Sequence, residues 1–153
     1  MYYIFDLDGT LANIEHRLKF INGIRKNWDA FYEACDMDKP ILNNINLLIT
    51  LRSTLDSEDK IIILSGRSMK VYNKTVNWLR DFGITVTDGR VLLYMRLETD
   101  HRPDYEFKQE WLDNFLIYHN KSEIAGVFED RKQVVDMWRK NGLTCYQVSN
   151  GEY

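Results

Sequence analysis

The 153-residue sequence is short of several things, and each shortage removes a class of function. Its two cysteines, Cys35 and Cys145, stand far apart, with no Cys-x-x-Cys and no Cys/His cluster, so zinc and dithiol redox chemistry have no ligands to use. Both are expected as buried thiols in a reducing compartment. The three histidines, His16, His101 and His119, are scattered and are assigned no catalytic role. No apolar run approaches the about 18 residues needed to cross a bilayer. No basic, apolar leader opens the chain, so a protein of the bacterial or infected-host cytosol, with no membrane partner, is expected. A Gly-x-x-x-x-Gly-Lys-Ser/Thr loop is absent, and with it any expectation of a P-loop ATP site. Positive charge is not in excess either: the net charge is −3, which excludes a generally basic nucleic-acid-binding surface but not a local basic groove.

What is present is a globular composition, 44% hydrophobic and 13% aromatic with 28% charged, on a length that suits one domain over residues 1–153. Apolar runs alternate with helical patterns. A first strand runs from Tyr3 and carries Asp6, Lys60 to Leu64 is a run expected to be buried on both faces, Val91 to Met95 a strand with Ile84 to Val86 as its possible partner, and Ile124 to Phe128 and Leu143 to Val148 two more. Between them, helices are expected from Pro40 onward, over 68–81 with Gly83 as its cap, from Asp104 to about 118, and after Asp130 up to Gly142. Residues 11–38 hold two short helices, enough for a small helical lid and too little for a folded cap domain. Strand-helix alternation of this kind predicts an α/β, three-layer, Rossmann-like fold with a mainly parallel central sheet, which binds ligands at the carboxyl ends of its strands.

The chain is organised around Tyr3-Ile-Phe-Asp-Leu-Asp-Gly-Thr-Leu, an apolar strand that ends in two carboxylates, Asp6 and Asp8. Spaced by two, they are expected to project to one side of the strand end. Gly9 lets the backbone turn, and Thr10 can hydrogen-bond the loop. Like charges held this close call for a cation, and with only oxygen ligands on offer the cation expected is Mg²⁺. By itself an Asp-x-Asp-Gly turn is ordinarily solvated. Its meaning comes from the motifs downstream of it and their order.

Asp6-Leu-Asp-Gly-Thr-Leu, then Ile-Leu-Ser65-Gly-Arg67, then Lys108, then Val-Phe-Glu129-Asp130, each acid or hydroxyl pair closing an apolar run, resembles the four motifs of the haloacid dehalogenase (HAD) superfamily of phosphotransferases. The resemblance spans nearly the whole chain. Within that superfamily the sequence is similar to the 3′-phosphatase domain of phage polynucleotide kinase/phosphatase, notably over Glu-Asp-Arg-Lys-Gln-Val-Val-Asp-Met-Trp-Arg-Lys, Gly-Leu-Thr-Cys-Tyr-Gln-Val and the Gly-acid-aromatic end. The absence of a P-loop means that the kinase half has no counterpart here.

The resemblance implies a phosphomonoesterase with Asp6 as nucleophile, Asp8 as general acid and base, and Mg²⁺ held by Asp6, the backbone carbonyl of Asp8 and Asp130. It implies Ser65, the Gly66 amide and Lys108 on the phosphate oxygens. Arg17 and Arg67 fall where they would bind substrate phosphate, Asp104 where it would orient Lys108. Glu129, longer than the Asp often found there, is expected to support the metal site from behind, as Thr10 supports the loop. The substrates implied are 3′-phosphorylated nucleic-acid ends, with nucleoside monophosphates or a fold retained only for binding as alternatives. Trp28, Phe31 and Tyr32 suit either stacking on a base or packing of the lid.

Overall fold

The structure, a computed structural model, describes residues 1–151. The Glu152-Tyr153 pair that completes the C-terminal resemblance lies outside the described residues.

Five strands, β1 (Tyr2–Phe5), β4 (Lys60–Ser68), β5 (Val91–Arg96), β6 (Ile124–Arg131) and β7 (Cys145–Gly151), form one sheet in the order β5-β4-β1-β6-β7. Every neighbouring pair is parallel. The run Ile61-Ile-Ile-Leu64 is buried on both faces, which is why it carries no polar alternation. Ile4, Ile62 and Leu64 point to a core closed by Leu112 of α5 (Asp104–Phe115) and by Val134, Val135 and Trp138 of α6 (Lys132–Lys140). Phe5, Ile61 and Ile63 point to the other, closed by Ile45 and Leu48 of α3 (Leu42–Thr54) and Trp78 and Leu79 of α4 (Tyr72–Asp81). The result is the expected three-layer α/β architecture. Among the described residues no helix is long and apolar enough to cross a membrane.

Between β1 and α3 the chain makes a small helical insert. Its stem is a two-stranded antiparallel ribbon, β2 (Ala12–Asn13) with β3 (Lys39–Pro40), and its body holds α1 (Glu15–Leu18), α2 (Trp28–Glu33) and a 3₁₀ turn at Ala34–Met37. Ile14, Ile21 and Phe31 give the insert its own buried cluster.

Two expectations are corrected. Pro40 does not open a helix: it pairs with Ala12 as part of β3, the Ile41 amide then donates to the Leu11 carbonyl at 2.8 Å, and α3 begins at Leu42. Long-range pairing there overrides the ordinary preference of proline for a first helical turn. Ile84 to Val86 is not a strand partner of β5, which pairs with β4; Ile84 is instead a buried core residue after the Gly83 cap. Gly83 and Gly142 do end their helices, with φ of +81° at each.

Candidate active site

β1 is the switch point of the sheet, with β4 on one side and β6 on the other. In open parallel sheets that is where the crevice opens at the strands' carboxyl ends. Asp6 follows the last residue of β1, Ser65 and Gly66 lie near the end of β4, and Glu129 and Asp130 lie near the end of β6. After Asp6 the backbone folds tightly, with the Leu7 carbonyl accepting from Thr10, Leu11 and Ala12 amides at 3.3, 2.8 and 2.9 Å, and Gly9 at φ +86°.

One half of the site is an acidic cluster around a buried lysine. Carboxylate oxygens of Asp6, Glu129 and Asp130 lie within 4.8 Å of one another. Lys108, 1% exposed, reaches Asp6 at 2.6 Å, Glu129 at 2.7 Å and, one helical turn back on α5, Asp104 at 3.0 Å. Burial alone would pull the Lys108 ammonium down, but the three carboxylates outweigh it and keep the group charged. Asp104 is held below its usual range in return, chiefly by Lys108, but the other two carboxylates gain less. Burial and the neighbouring Glu129 hold the Asp6 carboxyl well above its usual range, and burial raises Glu129 to about 7.

An all-oxygen donor set in which Asp6 and Glu129 resist ionisation is one that a small hard cation completes, so these residues fit Mg²⁺. Within the cluster both oxygens of Glu129 are engaged: one takes Lys108, and the other accepts the Asp130 and Arg131 amides at 3.1 and 3.2 Å. Thr10 donates to Asp130 Oδ1 at 3.3 Å.

The other half is a buried network of alternating charge. Asp8 Oδ1 accepts from Arg17 Nη2 and from Arg67 Nε, each at 2.7 Å. Behind them, Asp38 accepts two hydrogen bonds from Arg17 at 2.8 Å and one from Arg67 at 2.6 Å. Burial would raise the Asp8 carboxyl, but the two guanidiniums hold it at about 2. Asp6 and Asp8, two residues apart, are therefore pushed in opposite directions by different partners. Both nonetheless line one cleft, although the turn at Leu7 ends the strand between them.

A cleft of about 1080 Å³ opens over both halves, with Asp6, Asp8 and Gly66 on its floor. Gly66 has no room for a side chain, since a Cβ there would run into Asp104 Oδ1. Ser65 is fully buried, and its Oγ accepts the Arg67 amide at 3.1 Å. Arg17 and Arg67, expected against substrate, are fully buried instead and do not line the cleft, their guanidiniums being occupied by Asp8 and Asp38. Lys108 likewise sits beneath the cleft wall.

Sequence reasoning missed Asp38 and Arg96. Arg96 closes β5 at the same sheet edge as the other site residues and pairs with Asp104 at 2.9 Å, so the strand-end rule would have found it. Nothing local marks Asp38.

The raised carboxyls give the metal-free protein a pH signature. Groups whose folded pKa exceeds the unfolded value support the fold fully below the unfolded value and stop doing so as pH rises through the folded one. For Glu129 that window runs from 4.5 to about 7. A cation binding these acids should therefore raise the melting temperature more at pH 7.5 than at pH 5. At a hundredfold excess over Kd the gain at the higher pH is about 2.7 kcal/mol, or roughly 5 to 10 °C for a chain of this size. Thermal melts in EDTA and in Mg²⁺ at both pH values check this; equal gains at the two would mean that the cluster is not the metal site.

Likenesses to known proteins bear on this geometry. The family model described as the polynucleotide kinase PNKP phosphatase domain matches residues 1–153. A protein of Autographa californica nuclear polyhedrosis virus, described as a bifunctional polynucleotide kinase/RNA ligase, is 28% identical over 138 residues, which is 88% of this chain and 17% of the viral one. A chain of the solved Pnkp1/Rnl/Hen1 complex matches with a TM-score of 0.75 and 30% identity, over 99% of this chain and 46% of that one. The class C acid phosphatase of Bacillus anthracis, solved with tungstate bound, shares the fold at a TM-score of 0.61 and 17% identity, over 99% of this chain and 67% of that one. The chain thus spans about a sixth of the viral relative and under half of the repair-complex chain.

Proposed function

The chain belongs to the polynucleotide kinase PNKP phosphatase domain family, and on that premise we propose that it is a Mg²⁺-dependent phosphomonoesterase that removes terminal 3′-phosphates from polynucleotides. The observation that carries the proposal is the meeting of Asp6, Glu129, Asp130 and Lys108 at one sheet edge, beside an Asp8 held by two arginines. The names of the relatives, a polynucleotide kinase/RNA ligase and a Pnkp1/Rnl/Hen1 complex, support a nucleic-acid end as substrate.

On this reading Asp6 and Asp130 would hold the cation with the Asp8 carbonyl, and its charge would offset repulsion between the Asp6 carboxylate and an incoming phosphate dianion. An Asp6 oxygen attacks phosphorus as the bond to the sugar 3′-oxygen breaks, and that oxygen takes a proton from Asp8. Asp8 then takes a proton from water, the resulting hydroxide oxygen bonds to phosphorus, the bond to Asp6 breaks, and phosphate leaves. The two arginines favour Asp8 as a carboxylate, the form that serves the second step. A phosphate dianion arriving beside Asp8 raises its hold on a proton, and its departure lowers that hold again, the alternation that one acid-base group needs. Lys108, the Gly66 amide and Ser65 steady the transferred phosphoryl group, and Asp104 and Glu129 steady Lys108. Residues 11–38 act as the lid of a single domain.

Phosphate release from a 3′-phosphorylated oligonucleotide, a 3′-mononucleotide and a 5′-mononucleotide, each with Mg²⁺ and with EDTA, tests the proposal. Expected is EDTA-sensitive release from the 3′-phosphorylated oligonucleotide; release confined to 5′-mononucleotides overturns it.

A further inference from the structure

We infer that the lid carries a second subsite, built from Trp28, Lys26 and Arg25, for the base and phosphodiester that precede the reacting nucleotide, so that the favoured substrate is a chain end and not a mononucleotide. The inference rests on the phosphatase reading above. A reacting phosphate occupies only the floor of the cleft, whereas the cleft's volume of about 1080 Å³ slightly exceeds the roughly 300 to 1000 Å³ that small ligands fill. One of its walls is the lid.

On that wall Trp28 and Tyr32 stand four residues apart on one face of α2, with their rings 6.0 Å apart and 28° from parallel. The Tyr32 hydroxyl lies 3.4 Å from the Gly66 carbonyl oxygen, so the aromatic stripe begins at the phosphate loop. It runs outward by one helical turn, about 5.4 Å, to Trp28, which is 45% exposed while Phe31 beside it is buried. Phe31 has a structural task, covering the Arg17 guanidinium at 4.2 Å. Trp28 packs edge-on against Phe31, with ring centroids 5.6 Å apart, yet stays open to the cleft.

The charges nearby separate in the same way. Along the cleft Lys70 is paired with Asp29, Arg96 with Asp104, and Arg102 with Asp100 and Glu110. Lys26 holds its ammonium 5.7 Å over the Trp28 ring, and among the described residues neither Lys26 nor Arg25 pairs with a carboxylate. An exposed indole with Lys26 over its ring and Arg25 lining the same cleft matches what single-stranded nucleic acid presents, a base face with phosphates near it. A mononucleotide would leave this part of the lid without a contact.

The test compares Trp28→Ala, Trp28→Phe and the Arg25→Gln/Lys26→Gln double variant with the parent, in Mg²⁺, on a 3′-phosphorylated trinucleotide and on p-nitrophenyl phosphate. Trp28→Ala should raise the ratio of the two KM values about 5- to 100-fold, with kcat on the trinucleotide largely kept and Trp28→Phe recovering most of the loss. The double variant should flatten the salt dependence of the trinucleotide KM. In parallel, anisotropy of a labelled, unphosphorylated oligonucleotide reports binding without turnover. If the parent binds it and Trp28→Ala does not, the subsite stands even where 3′-phosphate release is absent and the activity reading fails. An unchanged KM ratio, or equal oligonucleotide binding by parent and Trp28→Ala, overturns the subsite whatever the activity.

Discussion

Asp6→Asn is expected to abolish turnover, by at least about 10⁴-fold, while leaving the metal-free protein at least as stable as its parent at pH 7. The first half follows from chemistry: an amide oxygen is a poor nucleophile toward phosphorus, and no other carboxylate in the cluster takes the same place at the end of β1. Stability follows from the electrostatics of the site. Asp6 has its 2.6 Å ion pair with Lys108, yet burial and the Glu129 charge still hold its carboxyl well above the usual range. The folded state therefore favours the neutral form more than the unfolded chain does, and asparagine is close to an isostere of that form. Lys108 keeps Asp104 and Glu129 as partners. Steady-state rates and urea midpoints in EDTA measure the two halves. A residual rate within tenfold of the parent would mean that Asp6 is not the nucleophile, and a loss of more than about 2 kcal/mol would make the Lys108 pair the structural anchor of the strand end.

How much of this arrangement the sequence discloses depends on how local each residue's cause is. Asp6, Ser65, Gly66, Glu129 and Asp130 were legible because each stands near the end of an apolar run, and parallel strands bring such ends to one edge. Asp104 and Lys108 were legible as a pair because four residues on a helix make a contact. That Lys108 is buried against three acids was not, since its burial depends on β1 and β6 lying beneath α5. Pro40 misled because its local preference for a helix start lost to pairing with Ala12, a residue 28 positions earlier. Arg17 and Arg67 read in the sequence as phosphate ligands, but the guanidiniums are turned inward by a partner no pattern announces. That partner, Asp38, stands in a charged stretch where an aspartate ordinarily faces solvent.

Asp38→Ala follows from that burial, with an expected loss of about 3 to 5 kcal/mol in stability. Asp8, Asp38, Arg17 and Arg67 form a neutral set of two carboxylates and two guanidiniums, both arginines and Asp38 being shut off from solvent. The 3₁₀ turn at Ala34–Met37 delivers Asp38, and Trp78 Nε1 fixes its carbonyl at 2.8 Å while His16 Nε2 lies 2.8 Å from Oδ1. Alanine leaves two guanidiniums against one carboxylate, a net buried positive charge that no water reaches, and three arginine hydrogen bonds without an acceptor. Besides Asp8, the guanidiniums then keep only long contacts at 3.4 Å, Arg17 to the Phe31 carbonyl and Arg67 to the Thr75 hydroxyl, so Asp8 loses much of its alignment too. If Asp8 protonates the leaving oxygen, that misalignment slows an alkyl ester such as a nucleotide 3′-phosphate more than p-nitrophenyl phosphate, whose leaving group needs no acid. General acid catalysis is commonly worth about 10²- to 10⁴-fold, and the ratio of the two rates should shift by a substantial part of that. Chemical denaturation gives the stability and paired assays give the ratio. A variant that loses stability but slows both substrates equally would leave Asp38 a purely structural counter-ion, and one that loses neither would show that the network does not exist in solution.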